Sequence, residues 1–157
     1  GMNIDLRHCN HDHGAYGLVA FTNDGKAIKI FSKAHSKEQA INVFESECSA
    51  YYKTLKCESI KSLVPQFHGK IIVESIINQS GIDITEDYFT ELSYSMEFVD
   101  GKFRKLGEID SLEAQRVSQL FSDHGINYTR DSSAVLDSNG SVFKLIDFAL
   151  EYFEVWH

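Results

Sequence analysis

The segment Lys37–Leu55 has the pattern of an amphipathic α-helix, and segments with strand character lie on both sides of it. Its apolar residues recur at helical spacing and form one stripe: Ile41, Phe44, Cys48, Tyr51, Tyr52 and Leu55. Two short strands around the turn Asn23-Asp24-Gly25 precede this segment, and the strand patterns Lys70–Ile77 and Glu91–Val99 follow it. This order favours an α+β fold in which the helix packs on an antiparallel, five-stranded sheet.

Composition narrows the class of protein. The 157 residues are enough for one domain with a hydrophobic core, and a hydrophobic content of 43% argues against a disordered chain. A net charge of −8 without a long basic stretch argues against a nucleic-acid partner. Three irregularly spaced cysteines favour reduced thiols over a disulfide framework. Because there is neither an apolar signal segment nor a membrane-length apolar run, we expect a cytoplasmic protein without a membrane partner.

A short segment near the N-terminus is rich in metal-binding residue types. It contains His8, Cys9, His11 and His13. Imidazole and thiolate both bind Zn²⁺, so a metal site is one interpretation. The spacing fits no standard structural zinc site, and four ligands so close in sequence rarely converge. We therefore favour a polar loop here.

Three places in the chain have residues suited to binding a charged ligand. Gly14 and Gly17 bracket a tight loop whose backbone can approach a ligand closely. Lys29 lies among apolar neighbours in the strand pattern that follows the Asn23-Asp24-Gly25 turn. Asp147 ends the apolar strand Val142–Ile146 and is followed by an aromatic residue, an arrangement suited to presenting a metal ligand at a sheet edge.

The order of these features resembles the protein kinases. Gly14-Ala15-Tyr16-Gly17 resembles the glycine-rich loop, Lys29 the lysine of the following strand, and Asp147-Phe148-Ala149 the Asp-Phe-Gly motif that holds Mg²⁺. Of two glutamates on opposite shoulders of the helical stripe, Glu45 and Glu47, the resemblance selects Glu47 as the partner of the lysine. It also implies that Met96, Glu97 and Val99 form the hinge that receives adenine.

The C-terminal third continues the resemblance. Asp110-Ser111-Leu112-Glu113 has the pattern of a capping box. The helix that follows it has Val117, Leu120, Phe121 and His124 on one stripe, and Gly125 as its stop. A β-hairpin then leads to Asp147. The resemblance implies a single domain over 1–157, with a small-lobe-like part at about 5–101 and a reduced large-lobe-like part at 102–157.

The sequence departs from the kinase pattern at residues that catalysis needs. Asp12 stands where the family has its first glycine, and an acidic residue there would repel phosphates. Counting back from Val135, Thr129 stands at the catalytic aspartate and Ala134 at the metal-binding asparagine. Thr129-Arg130-Asp131 echoes the family's His-Arg-Asp, but the loop after Asp131 is then too short.

The resemblance therefore implies a pseudokinase-like domain that transfers no phosphate, binds ATP and Mg²⁺ weakly if at all, and acts through an unidentified protein partner. One alternative is an active, atypical kinase with Asp131 as base and Asp147 as metal ligand. Another is an acidic interaction module that binds no nucleotide.

The last aromatic residues suggest a further packing element. Phe148, Tyr152, Phe153 and Trp156 would form one stripe if the C-terminal segment were helical. We expect Phe148–Trp156 to cover the Val117–Phe121 helix, or a second copy of the chain to cover it in a homodimer.

Overall fold

The computed structural model describes residues 1–151, and helix α1 has the bounds that the apolar pattern predicts, Lys37–Leu55. The chain forms two compact units by contact clustering. Among the described residues, the first unit contains Gly1–Glu45 and His68–Phe98, and the second contains Ser46–Phe67 and 99–151. Helix α1 contributes residues to both.

A five-stranded antiparallel sheet forms the centre of the first unit, so the α+β class and this sheet are confirmed. The strands numbered along the chain are β1 (Met2–Asp5), β2 (Asn10–His13), β3 (Gly17–Phe21), β4 (Lys26–Ser32), β5 (Phe67–Ile71), β6 (Val73–Ile77) and β7 (Tyr88–Glu97). The sheet order is β2-β3-β4-β7-β5, and β1 pairs with β6 as a separate parallel pair.

The two faces of this sheet pack against different elements. On one face, Ile28 and Ile30 of β4 join a buried cluster with Ile4 of β1 and Ile76 of β6. On the other face, Phe44 from the first part of α1 packs on β4 and β7. Its ring centroid lies 5.6 Å from that of Phe31 and 6.3 Å from that of Tyr94. The expected packing on the sheet is therefore present for this first part of the helix.

The strands differ from the sequence expectation at three places. The His8–His13 segment is not simply a polar loop, because Asn10–His13 forms the edge strand β2; an edge strand tolerates polar residues since one side meets water. The pattern Lys70–Ile77 is broken at Ile72, which accepts a hydrogen bond from the Met2 N–H at 3.2 Å, and β6 leaves the sheet to pair with β1. Strand β7 ends at Glu97, so Val99 lies outside it.

The buried face of α1 also differs from the predicted stripe. Ile41 and Tyr52 are 37% and 43% exposed, so placing them in the stripe was wrong. The residues that the helix buries instead include small and polar ones: Ala40, Val43, Glu47, Ala50 and Thr54. Small side chains allow close approach of a helix to its neighbours, which the apolar pattern alone does not register.

The second unit contains the predicted helix and hairpin. Its elements are α2 (Glu58–Lys61), β8 (Arg104–Lys105), α3 (Ser111–Ser122), β9 (Ser133–Leu136) and β10 (Val142–Ile146). Strand β8 adds to the hairpin and gives the order β10-β9-β8. The Asp110 side chain caps α3 by accepting the Glu113 N–H at 3.2 Å. Gly125, with φ +79°, follows the end of this helix.

Aromatic packing forms the core of the second unit. The buried Phe148 ring lies 4.5 Å from the Tyr51 ring and 5.3 Å from the Phe121 ring, measured between centroids. The predicted helix starting at Phe148 is wrong over the described residues, because Ala149 instead forms an antiparallel bridge with Tyr128. The remainder of that prediction, with Tyr152, Phe153 and Trp156, lies outside the described residues.

Within 1–151, no helix combines the length and apolarity needed to span a bilayer.

Candidate functional site

Lys29 occupies a central position in the five-stranded sheet. It lies in β4, between β3 and β7, and is only 5% exposed. Its ammonium nitrogen lies 5.0 Å from the ring centroid of Tyr16, 5.2 Å from that of Phe31 and 5.9 Å from that of Tyr94. We call these three rings the aromatic cage. Aromatic faces attract a cation, and the attraction is stronger where water is excluded.

Asp12 lies in the same cross-strand row as Lys29. The strand register pairs Asp12 with Val19, Val19 with Lys29, and Lys29 with Tyr94. Paired residues share a face of the sheet, and two strand spacings separate Asp12 and Lys29 by about 10 Å. A carboxylate at this distance repels an anionic group placed near Lys29.

The two glycines of the predicted phosphate loop have different environments. A Cβ on Gly17 would lie 2.1 Å from the Ile30 carbonyl oxygen, so the approach of β3 to β4 requires glycine there. The nearest atom to a Cβ on Gly14 would be the Gly17 carbonyl oxygen, at 3.9 Å. Gly17 is therefore explained by sheet packing, whereas Gly14 has room for a side chain.

Met96 and Glu97 are the last two residues of β7, and Val99 follows the strand. Met96 pairs with Ala27 and so shares the Lys29 face of the sheet, where it is buried. Glu97 pairs with Lys26, and the Phe98 N–H donates to the Gly25 carbonyl at 2.9 Å. In this arrangement the Phe98 N–H is used within the first unit.

Asp147 lies directly after β10 in the second unit, in an unusual backbone conformation. Its φ of +62° is the only positive value among the non-glycine residues of the described chain. Such a conformation costs free energy in a non-glycine residue and concentrates at functional sites. The Ser133 hydroxyl lies 3.3 Å from Asp147 Oδ2, and the Ser132 hydroxyl donates to the Asp147 carbonyl at 3.2 Å.

Besides burial, the negative charges of Asp147 and Glu47 both raise the pKa of one phenol, that of Tyr51. Tyr51 is fully buried, and this burial, followed by the negative charges of Asp147 and Glu47, raises the pKa of its hydroxyl well above the usual range. Glu47 is itself only 3% exposed, whereas Glu45 is exposed and pairs with Lys70 at 2.9 Å. The second unit thus gathers Glu47 and Asp147 around Tyr51.

In the loop that contains Thr129 and Asp131, the side chains contact neighbours within the second unit. Thr129 is buried and its hydroxyl donates to Ser118 Oγ at 3.1 Å, while Ala134 is buried within β9. The Asp131 carboxylate accepts a hydrogen bond from the Tyr128 hydroxyl and lies 4.0 Å from Lys105 Nζ. Asp131 is therefore held by neighbours in its own unit.

Glu113 ties helix α3 to the hairpin that carries Asp147. Its carboxylate accepts the Val142 N–H at 2.6 Å and forms a two-point contact with Arg116 at 2.7 and 2.8 Å. The hydrogen bond from Arg116 is the largest cause that lowers the pKa of Glu113 below its usual value. Burial opposes this shift but does not cancel it.

We expect Glu113→Gln to destabilise the protein by about 1–2 kcal/mol at pH 7, because it replaces a charge-assisted contact with a neutral one. The lowered pKa means that the ionised Glu113 stabilises the folded state fully above its unfolded pKa of about 4.3. That contribution is lost as the pH falls through the lower folded pKa. Urea unfolding at several pH values should therefore show the difference from wild type shrinking below about pH 4.

Glu108→Gln is the matched control, since Glu108 is an exposed carboxylate of the same unit. It should leave the midpoint unchanged at every pH. A Glu113→Gln variant with wild-type stability at pH 7 would contradict the role of Glu113 in holding the hairpin.

The candidate metal ligands of the histidine-rich segment make other contacts in the structure. The His11 and His13 rings approach to 5.4 Å between centroids, while the Cys9 thiol donates to the Asp5 carbonyl at 3.3 Å. In the part of the chain that the structure describes, no three His, Cys, Asp or Glu side chains are placed to hold a metal ion.

Sequence reasoning assigned no site role to three residues: Tyr16, Tyr51 and Ser133. The sequence does place Tyr16 between Gly14 and Gly17, which shows that the tight loop carries an aromatic side chain. Ser133 becomes apparent only from the hairpin register, in which it pairs with Ile146.

A surface groove of about 710 Å³, lined mainly by Met2, Lys70, Ile71, Ile72 and Glu91, contains none of the predicted site residues.

Comparison with known proteins gives no family for this chain. No protein-family model, curated protein or solved structure matches it.

Proposed function

We propose that this chain is a catalytically impaired, protein-kinase-like domain that binds ATP with Mg²⁺ weakly and acts through a protein partner. The observation that carries the proposal is Lys29, a lysine almost fully buried in the central region of a five-stranded antiparallel sheet. A cation in a site that largely excludes water attracts an anionic ligand more strongly than an exposed cation does.

Asp147 supports the metal part of the proposal. It is a half-buried carboxylate held in a strained backbone conformation, with a hydroxyl group at 3.3 Å from Oδ2. Mg²⁺ in nucleotide sites is usually held by one or two carboxylates together with the phosphates of the substrate. A single carboxylate such as Asp147 fits Mg²⁺ that arrives with ATP and does not suit Mg²⁺ alone.

The loop residues support impaired catalysis. Thr129 and Ala134 carry neither the carboxylate nor the amide that phosphoryl transfer uses, and both are buried. Asp131 is a carboxylate, but Tyr128 and Lys105 already contact it. Loss of such positioning groups usually lowers the rate by several orders of magnitude. Weak binding is further favoured by Asp12 on the Lys29 face of the sheet.

The test is thermal unfolding during titration with ATP, with and without Mg²⁺. Ligand at ten times Kd should stabilise the wild type by about 1.4 kcal/mol, which raises Tm by about 3–6 °C for a domain of this size. Lys29→Met should reduce the shift because it removes the cation while keeping most of the volume. Asp147→Asn should reduce the shift that requires Mg²⁺. Lys102→Met, at an exposed lysine, is the control and should keep both responses.

Two results would replace this proposal with an alternative. A wild type that shows no shift at any ATP concentration would favour the acidic interaction module. Transfer of labelled phosphate to a generic acceptor, abolished by Asp131→Ala, would favour the active, atypical kinase.

A further inference from the structure

Tyr16 is the member of the aromatic cage that borders solvent. Phe31 and Tyr94 are fully buried, whereas Tyr16 is partly exposed. The Tyr16 ring stacks on Phe31 with 6.3 Å between centroids and an interplanar angle of 18°, and Lys29 Nζ lies 5.0 Å from its centre. A ligand that reaches the Lys29 ammonium from this side must therefore first move the Tyr16 ring.

The loop that carries Tyr16 is held in place by hydrogen bonds along its length. The Gly14 N–H donates to the Gly17 carbonyl at 2.8 Å, and the Tyr16 carbonyl accepts the Ser32 N–H at 2.8 Å. His35 Nε2 is hydrogen-bonded to the Ala15 carbonyl at 2.9 Å. These contacts fix the loop that places the Tyr16 ring over Lys29.

We propose that Tyr16 shields the Lys29 amine from solvent and thereby weakens its binding of anionic ligands such as the phosphates of ATP. This inference rests on the proposed function for its ligand, but the shielding itself does not. A phosphate that reaches Lys29 from this side displaces the Tyr16 ring, so the cation–π contact is lost when the ligand binds. The free energy by which the ring stabilises the ammonium group therefore lowers the affinity for the ligand.

The shielding is tested by the reaction of the Lys29 amine with an acylating N-hydroxysuccinimide ester, followed by mass spectrometry of the peptides. The neutral amine, formed when the ammonium group loses a proton to the buffer, attacks the ester carbonyl. The amide C–N bond forms, the acyl C–O bond breaks to release N-hydroxysuccinimide, and the nitrogen loses a second proton to the buffer. Tyr16→Ala should raise the labelling rate at Lys29 by about tenfold, the order expected for loss of a desolvated cation–π contact. Lys102, which is exposed, serves as the internal standard in every sample.

Two further variants separate the ring from the bulk of the side chain. Tyr16→Phe keeps an aromatic face over Lys29 and should label at the wild-type rate. Tyr16→Leu fills similar space without an aromatic face and should label faster than wild type; it also replaces Tyr16→Ala if that variant does not fold. Equal labelling of wild type and Tyr16→Leu, or equally fast labelling of Tyr16→Phe and Tyr16→Leu, would overturn the shielding.

The ligand part is tested by the affinity of the same variants for ATP with Mg²⁺. Tyr16→Leu should bind ATP about tenfold more tightly than wild type, and Tyr16→Phe should match wild type. Faster labelling of Tyr16→Leu without tighter ATP binding would overturn the competition between the ring and the ligand. A complete lack of ATP binding in all variants would overturn the proposed function, and the labelling rates would still decide the shielding.

Discussion

Gly17→Ala is expected to destabilise the first unit by about 3 kcal/mol or more, a large fraction of the stability of a typical domain. An alanine Cβ would lie 2.1 Å from the Ile30 carbonyl oxygen and 2.9 Å from the Ser32 nitrogen. Both atoms belong to the backbone of β4, so no flexible side chain can move aside to relieve the contact. The φ of +157° at Gly17 adds further strain for an L-residue. The midpoint of urea unfolding, followed by circular dichroism, measures the effect.

Gly14→Ala is the matched control, because it makes the same chemical change three residues away. The nearest atom to its Cβ would lie 3.9 Å away, at the Gly17 carbonyl oxygen. Its free energy of unfolding should stay within about 0.5 kcal/mol of that of the wild type. A Gly17→Ala protein with the wild-type midpoint would mean that β3 and β4 do not approach each other as closely as described.

Phe148→Ala is expected to cost about 3–5 kcal/mol, the usual range for deleting a buried phenylalanine ring. The ring is fully buried and touches the Tyr51 and Phe121 rings at 4.5 and 5.3 Å between centroids. Its loss would leave a cavity in the aromatic core of the second unit. A lower urea midpoint and a changed near-ultraviolet dichroism signal of the tyrosines are the expected observations.

Phe143→Ala is the control for this second variant. Phe143 lies five residues earlier, in β10, and is 54% exposed. Removing its ring should change the stability by no more than about 0.5 kcal/mol. Equal losses from the two variants would contradict the assignment of Phe148 to the core.

The sequence predicted elements whose signal is local. Helix α1 is long and periodic, and its observed bounds agree with the prediction. The hairpin before it has a turn with a clear Asn-Asp-Gly signal, and α3 begins at the capping aspartate Asp110. In each case the residues that decide the structure are close neighbours in the chain.

The elements that the sequence missed depend on distant residues. Nothing in Met2–Asp5 indicates that it pairs in parallel with Val73–Ile77. Similarly, the burial of Glu47 and the exposure of Ile41 depend on what packs against the helix, which a hydrophobicity pattern does not contain.

For the candidate site, the sequence predicted single residues better than their surroundings. It selected Lys29, Glu47 and Asp147, and the structure buries the first two and places the third in an unusual backbone conformation. It did not predict that Tyr16 lies over Lys29 or that Tyr51 lies close to both Glu47 and Asp147. Those contacts arise from loop conformation and packing, and no spacing rule encodes them. Whether these residues bind a nucleotide stays a prediction.

The parallel pairing of β1 with β6 has a consequence for how the first unit folds. The pair joins segments separated by about 70 residues, so its closure cost in chain entropy is high compared with that of the β3–β4 hairpin. Contacts of such long range tend to form after local ones. The sheet face with Ile28 and Ile30 would then stay open to water during folding, until Met2–Asp5 and Val73–Ile77 close over it. Partly folded molecules would expose this apolar face to one another, a known route to aggregation.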